Sequence, residues 1–192
     1  LIDTYGLCRE YDSKLAVVIL HGEAIDIEKN HYFQKMLDDL GKDKPLHRLV
    51  FTKDIYQRFS STPATPLDIY LYGAITGKKI NISQKGENLL FPLSLEDFIS
   101  ATVKTLFLSA TSGKSFWLLG DPVTDLELSY LLKRNASTIG QDDLEINAIE
   151  KNDPKTNSLL SIGNKTRAEL NWQPDNEIVD DLRQIVSLYA DS

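Results

Sequence analysis

Leu15-Ala16-Val17-Val18-Ile19-Leu20 is an apolar run with no polar break. Such a run predicts a strand buried on both faces, the habit of parallel sheets covered by helices. Ahead of it, Leu1, Tyr5 and Cys8 fall on one stripe of a helical pattern, with Leu7 and Tyr11 beside it. A buried strand needs hydrogen-bonded neighbours on its edges, and little of the remaining pattern supplies them. The expectation is therefore the second half of an α/β protein whose first half precedes residue 1.

Further along, residues 28–40 predict a helix with Phe33, Met36, Leu37 and Leu40 on its apolar stripe and Gly41 as its stop. Residues 46–59 fit neither the helical nor the strand period. The Ser/Thr/Pro-rich stretch 60–66 is a loop by composition. An apolar pattern resumes over 67–72 and ends near Gly73 or Gly77, and 79–82 predicts a short strand. Ser94-Leu95-Glu96-Asp97 fits a capping box, opening a helix expected to bury Phe98, Ile99, Ala101, Thr102, Leu106 and Phe107. Residues 115–119 form a second buried strand, ended by Gly120-Asp121-Pro122. Thr124-Asp125-Leu126-Glu127 is another capping box, opening a helix to about Arg134. Residues 144–149 alternate weakly, and 164–170 makes a short helix. Asn176 is expected to cap a last helix on which Ile178, Val179, Leu182, Ile185, Val186 and Tyr189 repeat at three-four spacing.

Length and charge narrow the functions open to such a pattern. The chain has 192 residues, 42% hydrophobic and 26% charged, which is ordinary for one globular core or a core with a small satellite. A net charge of −7 gives no electrostatic reason to expect nucleic acid. No segment approaches the ~20 apolar residues of a membrane span. The single cysteine, Cys8, excludes an internal disulfide and suits a reducing, cytoplasmic compartment. Its place on a helix stripe reads as a packed thiol. The Asn-x-Ser/Thr triplets at Asn81, Asn135 and Asn164 read as chance.

Candidate chemistry is sparse. No glycine-rich turn between strand and helix offers backbone N–H groups to a pyrophosphate. Ser112-Gly113-Lys114-Ser115 imitates the tail of a phosphate loop, but the earlier glycine would fall at Leu108 and the segment leads into a strand. His21, His31 and His47 show no metal-ligand spacing with one another. Asp38-Asp39 and Asp142-Asp143 read as solvated pairs. His21 stands out by position, directly after a buried strand at the sheet edge where ligands sit in open α/β folds. It reads as a ligand contact or as a half-exposed strand cap.

The order of elements resembles the C-terminal half of the extended short-chain dehydrogenase/reductases, the NAD-dependent nucleotide-sugar epimerase and dehydratase family. Residues 1–20 are similar to the end of that family's active-site helix and the strand after it. Phe91-Pro92-Leu93-Ser94-Leu95-Glu96-Asp97-Phe98-Ile99-Ser100-Ala101 is similar to its F-V-H-V-D-D-V-A-x-A segment, with Asp97 on the second aspartate. Residues 162–189 are similar to its K-A-x-x-E-L-G-W-x-P ending, with Lys165, Ala168, Glu169, Leu170, Trp172 and Pro174 in place. The resemblance implies a Rossmann-like α/β fold, here the C-terminal part of a parallel sheet with helices plus a small α/β substrate-binding lobe. Residues 1–23 would end the Rossmann-like domain, 24–90 form the variable substrate wall, 91–135 return to the sheet, and 136–192 complete the lobe.

The same resemblance implies reversible hydride transfer with NAD or NADP, a nucleotide-sugar or other small-molecule substrate, and a homodimer. Neither nucleic acid nor membrane is an expected partner. The family's Tyr-x-x-x-Lys pair and glycine-rich turn would fall before residue 1. His21 is the implied cofactor contact, and Arg48, Arg58 and Asp97 are the implied substrate contacts. Lys78 and Lys79 are further anion candidates. His21-Gly22-Glu23-Ala24-Ile25-Asp26 stands where many members read R-x-x-N-V-Y-G-P. Leu90 or a neighbour stands where a diphosphate-binding arginine is usual. Two alternatives remain open: a non-catalytic relative that binds a ligand or partner, and a reductase of small carbonyl compounds.

Overall fold

The computed structural model describes residues 15–20, 47–56, 65–83, 85–149 and 157–188. The helices expected over 1–11 and 28–40, and His21 and Arg58, lie outside the described residues. Strand β1 (Leu15–Leu20) pairs in parallel with β2 (His47–Thr52), Leu15 opposite His47 and Leu20 opposite Thr52. Strand β7 (Ser115–Leu118) pairs with the other edge of β2, Leu49 opposite Ser115 and Thr52 opposite Leu118. The order β1-β2-β7 makes β2 the middle strand. It lies within the stretch read as substrate wall, so that part of the stretch belongs to the sheet.

Three small pairings surround this sheet. Strand β3 (Ile55–Tyr56) runs parallel to β6 (Leu93–Ser94), and β4 (Ile80–Ser83) runs parallel to β9 (Ile146–Ile149). Strand β5 (Leu89–Leu90) is antiparallel to β8 (Val123–Thr124).

Helix ends follow their local chemistry. Helix α1 (Pro66–Thr76) opens on a complete capping box between Thr65 and Asp68, with Pro66 in its first turn. It closes on Gly77 at φ 68°, the left-handed stop that glycine takes without strain. Helix α2 (Leu95–Phe107) starts on Ser94, whose hydroxyl accepts from the Asp97 N–H. The reciprocal half of the expected box does not form, because the Asp97 carboxylate is turned elsewhere. Helix α3 (Asp125–Ser137) has both halves of its box, Thr124 with Glu127. Helix α4 (Asn157–Leu170) begins well ahead of the expected residue 164. Helix α5 (Ile178–Ser187) is preceded by Glu177, which makes no side-chain cap. Asn176, expected as that cap, spends its side chain on α2 instead.

Two cores result. In the sheet core, Val50, Phe116 and Leu118 pack with Leu93, Ala101, Leu170 and Trp172. In the lobe core, Tyr56, Leu67, Leu71, Ile80, Leu90, Leu128, Leu132, Leu182 and Val186 meet. The other face of β2 carries Phe51, stacked on Trp117 at 5.0 Å and 19°. The expectation that α2 buries Ile99 and Phe107 is corrected. Both are exposed with Val103, while Asp97, Ala101 and Thr105 face inward.

Candidate functional site

In open parallel α/β sheets ligands sit in the crevice formed by the loops beyond the carboxyl ends of the strands. Here that edge is the end of β2, at Thr52-Lys53-Asp54, beside the end of β7, at Leu119-Gly120-Asp121. The segment 91–93 crosses between the two. Its Phe91 N–H donates to Asp54 Oδ2 at 3.0 Å, Leu93 N–H donates to the Asp54 carbonyl at 3.1 Å, and Gly120 N–H donates to the Phe91 carbonyl at 3.3 Å. The approach is so close that a Cβ on Gly120 would stand 1.5 Å from the Pro92 carbonyl oxygen.

Asp54 itself is in the left-handed region at φ 54°, which aspartate tolerates better than most residues. Its carboxylate lies 3.5 Å from Lys53 Nζ, and that ammonium sits 5.8 Å over the Phe91 ring. Thr52 is fully buried, and its Oγ1 has no hydrogen-bond partner.

The next turn leads to Tyr56, buried, whose hydroxyl donates to Asp181 Oδ2 at 2.7 Å. Burial, then the Asp181 carboxylate, push the phenol well above its ordinary value, so Tyr56 is a neutral donor and not a base. Asp97 is held by four donors. Asp175 N–H donates to Oδ1 at 3.0 Å. The Asn176 N–H, the Asn176 Nδ2 and the Ser94 hydroxyl donate to Oδ2 at 3.1, 3.0 and 2.9 Å. Burial alone would raise this carboxyl, but the donors outweigh it and hold it below the ordinary range.

The implied substrate contacts are thus not gathered together. Arg48 lies at the amino end of β2, almost fully buried. Its guanidinium donates to the Thr105 carbonyl at 3.1 Å and to Ser112 Oγ at 2.8 Å. Asp97 opens α2, whereas Thr105 lies toward its other end, so Arg48 and Asp97 occupy opposite ends of one helix. Leu90 is packed in the lobe core. Lys78 donates to the Tyr72 hydroxyl at 3.0 Å, away from the sheet edge. Lys53, Asp54 and Tyr56 were missed because 46–59 has no clear period. The signal available was positional, a Lys-Asp pair one residue after an apolar Leu49-Val50-Phe51.

A separate open hollow of about 560 Å³ is lined by Asn164, Arg167, Ala168, Asn171, Trp172 and Gln173. Its arginine is engaged, donating to Asp121 Oδ1 at 2.6 Å and to the Leu119 carbonyl at 3.0 Å. Among the described residues no group of three or more His, Cys, Asp and Glu could hold a metal ion. No helix among them is long and apolar enough to cross a membrane.

No protein-family model matches the chain, and no curated protein matches it by sequence. Solved structures do match. The chain is similar to dTDP-glucose 4,6-dehydratase from Bacillus anthracis, solved in complex with NAD. The TM-score is 0.69 and the identity 18%, over 100% of this chain and 66% of that one. It is similar to UDP-N-acetylglucosamine 4-epimerase from Bacillus cereus, at TM-score 0.65 and 15% identity over 96% and 66%. A third match is UDP-glucose 4-epimerase from Thermotoga maritima, solved with UDP-glucose, at TM-score 0.61 and 17% identity over 84% and 52%. The chain spans between about half and two thirds of the length of these structures. At such identities the likeness is one of fold: a Rossmann-like α/β arrangement.

Proposed function

We propose that the chain forms the substrate side of an NAD(P)-dependent nucleotide-sugar epimerase- or dehydratase-like protein, with the ligand over the carboxyl ends of β2 and β7. The observation that carries this reading is the chemistry of that edge. On the middle parallel strand a buried hydroxyl, Thr52 Oγ1, has no partner, and a lysine and a left-handed aspartate follow it. The fold neighbours are named for acting on dTDP- and UDP-sugars, and one is solved with NAD.

When bound, the dinucleotide supplies the hydride acceptor. The described residues suit the phosphate-bearing substrate better than the dinucleotide, since the sequence holds no glycine-rich strand-to-helix turn. On this reading His21, next in the chain after β1, contacts the cofactor, and Arg58, just past β3, contacts the substrate. Arg48 and Asp97 hold the fold instead, because their polar atoms are engaged by protein groups. Tyr56 orients the edge by fixing the turn after β2 to α5.

Calorimetric titration of the full-length protein with NAD, NADP, UDP-glucose and dTDP-glucose tests the reading. Uptake of a dinucleotide and of a sugar nucleotide is expected, and uptake of neither overturns it. A second reading, a non-catalytic relative that binds without turnover, is favoured by one observation: Tyr56, the phenol that follows the β2 edge in the chain, is locked as a neutral donor to Asp181. Binding of both ligands with no spectroscopic reduction of the dinucleotide would select it.

A further inference from the structure

Lys53 is the cation that the β2 edge presents, and its donors are largely unspent. An ammonium has three N–H donors. The Lys53 side chain is 12% exposed, and its ion-pair contact is Asp54 Oδ2 at 3.5 Å, long for a charge-assisted hydrogen bond. That same oxygen already accepts the Phe91 N–H at 3.0 Å. The Phe91 ring holds the ammonium at 5.8 Å from its centroid without taking a directed bond. A nearly buried charge without good partners is costly unless something else completes it. The place is where a ligand would arrive in a parallel sheet. Leu90, at the position where the resemblance leads one to look for an arginine, is buried in apolar contacts and supplies no charge.

We propose that Lys53 binds a phosphate group of the ligand, with Asp54 as the tether that aims the ammonium and competes with that phosphate. The inference rests on the reading above, and the two can fail separately. Two phosphate sources share this chemistry, the sugar nucleotide and the dinucleotide.

The experiment compares wild type with Lys53→Met, Lys53→Arg and Asp54→Asn, each first shown to melt cooperatively, by titration with UDP-glucose, NAD and inorganic pyrophosphate. Lys53→Met keeps the buried stem and removes the charge, and is expected to weaken the phosphate ligand by roughly tenfold or more. Lys53→Arg should retain most of the affinity. Asp54→Asn keeps an oxygen for the Phe91 N–H but removes the competing charge, so it should bind severalfold more tightly. These opposite signs separate a binding role from a structural one, which would weaken all variants alike.

A change confined to UDP-glucose assigns the phosphate to the substrate, and one confined to NAD assigns it to the cofactor. Pyrophosphate affinity that depends on Lys53, with neither nucleotide bound, keeps the anion site and overturns the nucleotide reading. Pyrophosphate binding that Lys53→Met leaves unchanged, or no binding of any of the three probes, overturns the assignment of Lys53.

Discussion

Single residues at the junction between loops carry more of this fold than their size suggests. Gly120 is the clearest case, since an added Cβ would overlap the Pro92 carbonyl oxygen at 1.5 Å and every near atom belongs to the Pro92–Leu93 peptide backbone. No flexible side chain can yield there, so Gly120→Ala should cost at least about 3 kcal/mol. A scanning calorimetry trace should show the melting temperature lower by about 6 °C or more for a chain of this size; an unchanged melt would contradict the crossing. Asp97 makes a different kind of claim. Its folded pKa lies below the ordinary 3.8, so it stabilises the fold at pH values above that number. That contribution is lost as pH falls through the depressed folded value. Asp97→Asn leaves Asp175 and Asn176 donors facing an amide and should cost about 2–3 kcal/mol at pH 7. In urea melts taken from pH 6 downward, the gap between wild type and variant should close in acid. A gap that stays constant would show that the carboxylate charge is not what holds the 175–176 turn. Arg48 shows why the sequence misleads at this scale: it reads as a candidate substrate contact, and nothing local reveals that Thr105 and Ser112 will fold back onto it.

Elements were legible in proportion to how far local chemistry alone dictates them. The apolar runs 15–20 and 115–118 are strands as their unbroken apolar pattern predicts, each pairing in parallel with β2. The Thr124 capping box opens α3 as expected because its partner Glu127 lies three residues away, whereas the equally local Thr65–Asp68 box of α1 is hidden by a stretch whose composition reads as loop. Strand β2 was not legible, since His47, Arg48 and Thr52 break its apolar run and its pairing partners are distant in sequence. Nor was the inward face of α2 readable. Phe98, Ile99, Ala101, Val103, Leu106 and Phe107 surround the helix, and only tertiary contacts choose Ala101 and Thr105 as the inner stripe. Contacts across elements also decide the edge of β7. The Thr166 hydroxyl on α4 accepts from the Trp117 N–H at 3.0 Å, covering a strand edge that would otherwise be open. Thr166→Val keeps the shape and removes this acceptor, and should cost about 1 kcal/mol through loss of that bond. Amide exchange at Trp117 should accelerate together with the loss of stability; protection equal to wild type would rule out the hydroxyl as its partner.

At the scale of the molecule, the sheet core and the lobe core are joined by the chain leaving α4. Leu170 and Trp172 belong to the sheet core, residues 175–176 cross the Asp97 carboxylate, and Leu182, Ile185 and Val186 of α5 enter the lobe core. Within the lobe core, Tyr56, shortly after the turn that ends β2, is hydrogen-bonded to Asp181 on α5. The proposed ligand edge lies in the chain between Val50 of the sheet core and Tyr56 of the lobe core, so the geometry of Lys53 and Asp54 depends on both cores holding together. Trp117 and Trp172, the chain's 2 tryptophans, both report on the sheet side, one on β7 and one in its core. Tryptophan fluorescence therefore follows the sheet, whereas far-ultraviolet circular dichroism averages over the helices of both cores. Wild type should give coincident transitions by the two probes, the mark of one cooperative unit. The variant Asp97→Ala removes the hydrogen-bonded tie at residues 175–176, and its two melting curves should separate. If they stay coincident, the cores are coupled through packing and not through this carboxylate, and the ligand edge owes its shape to the 91–93 crossing alone.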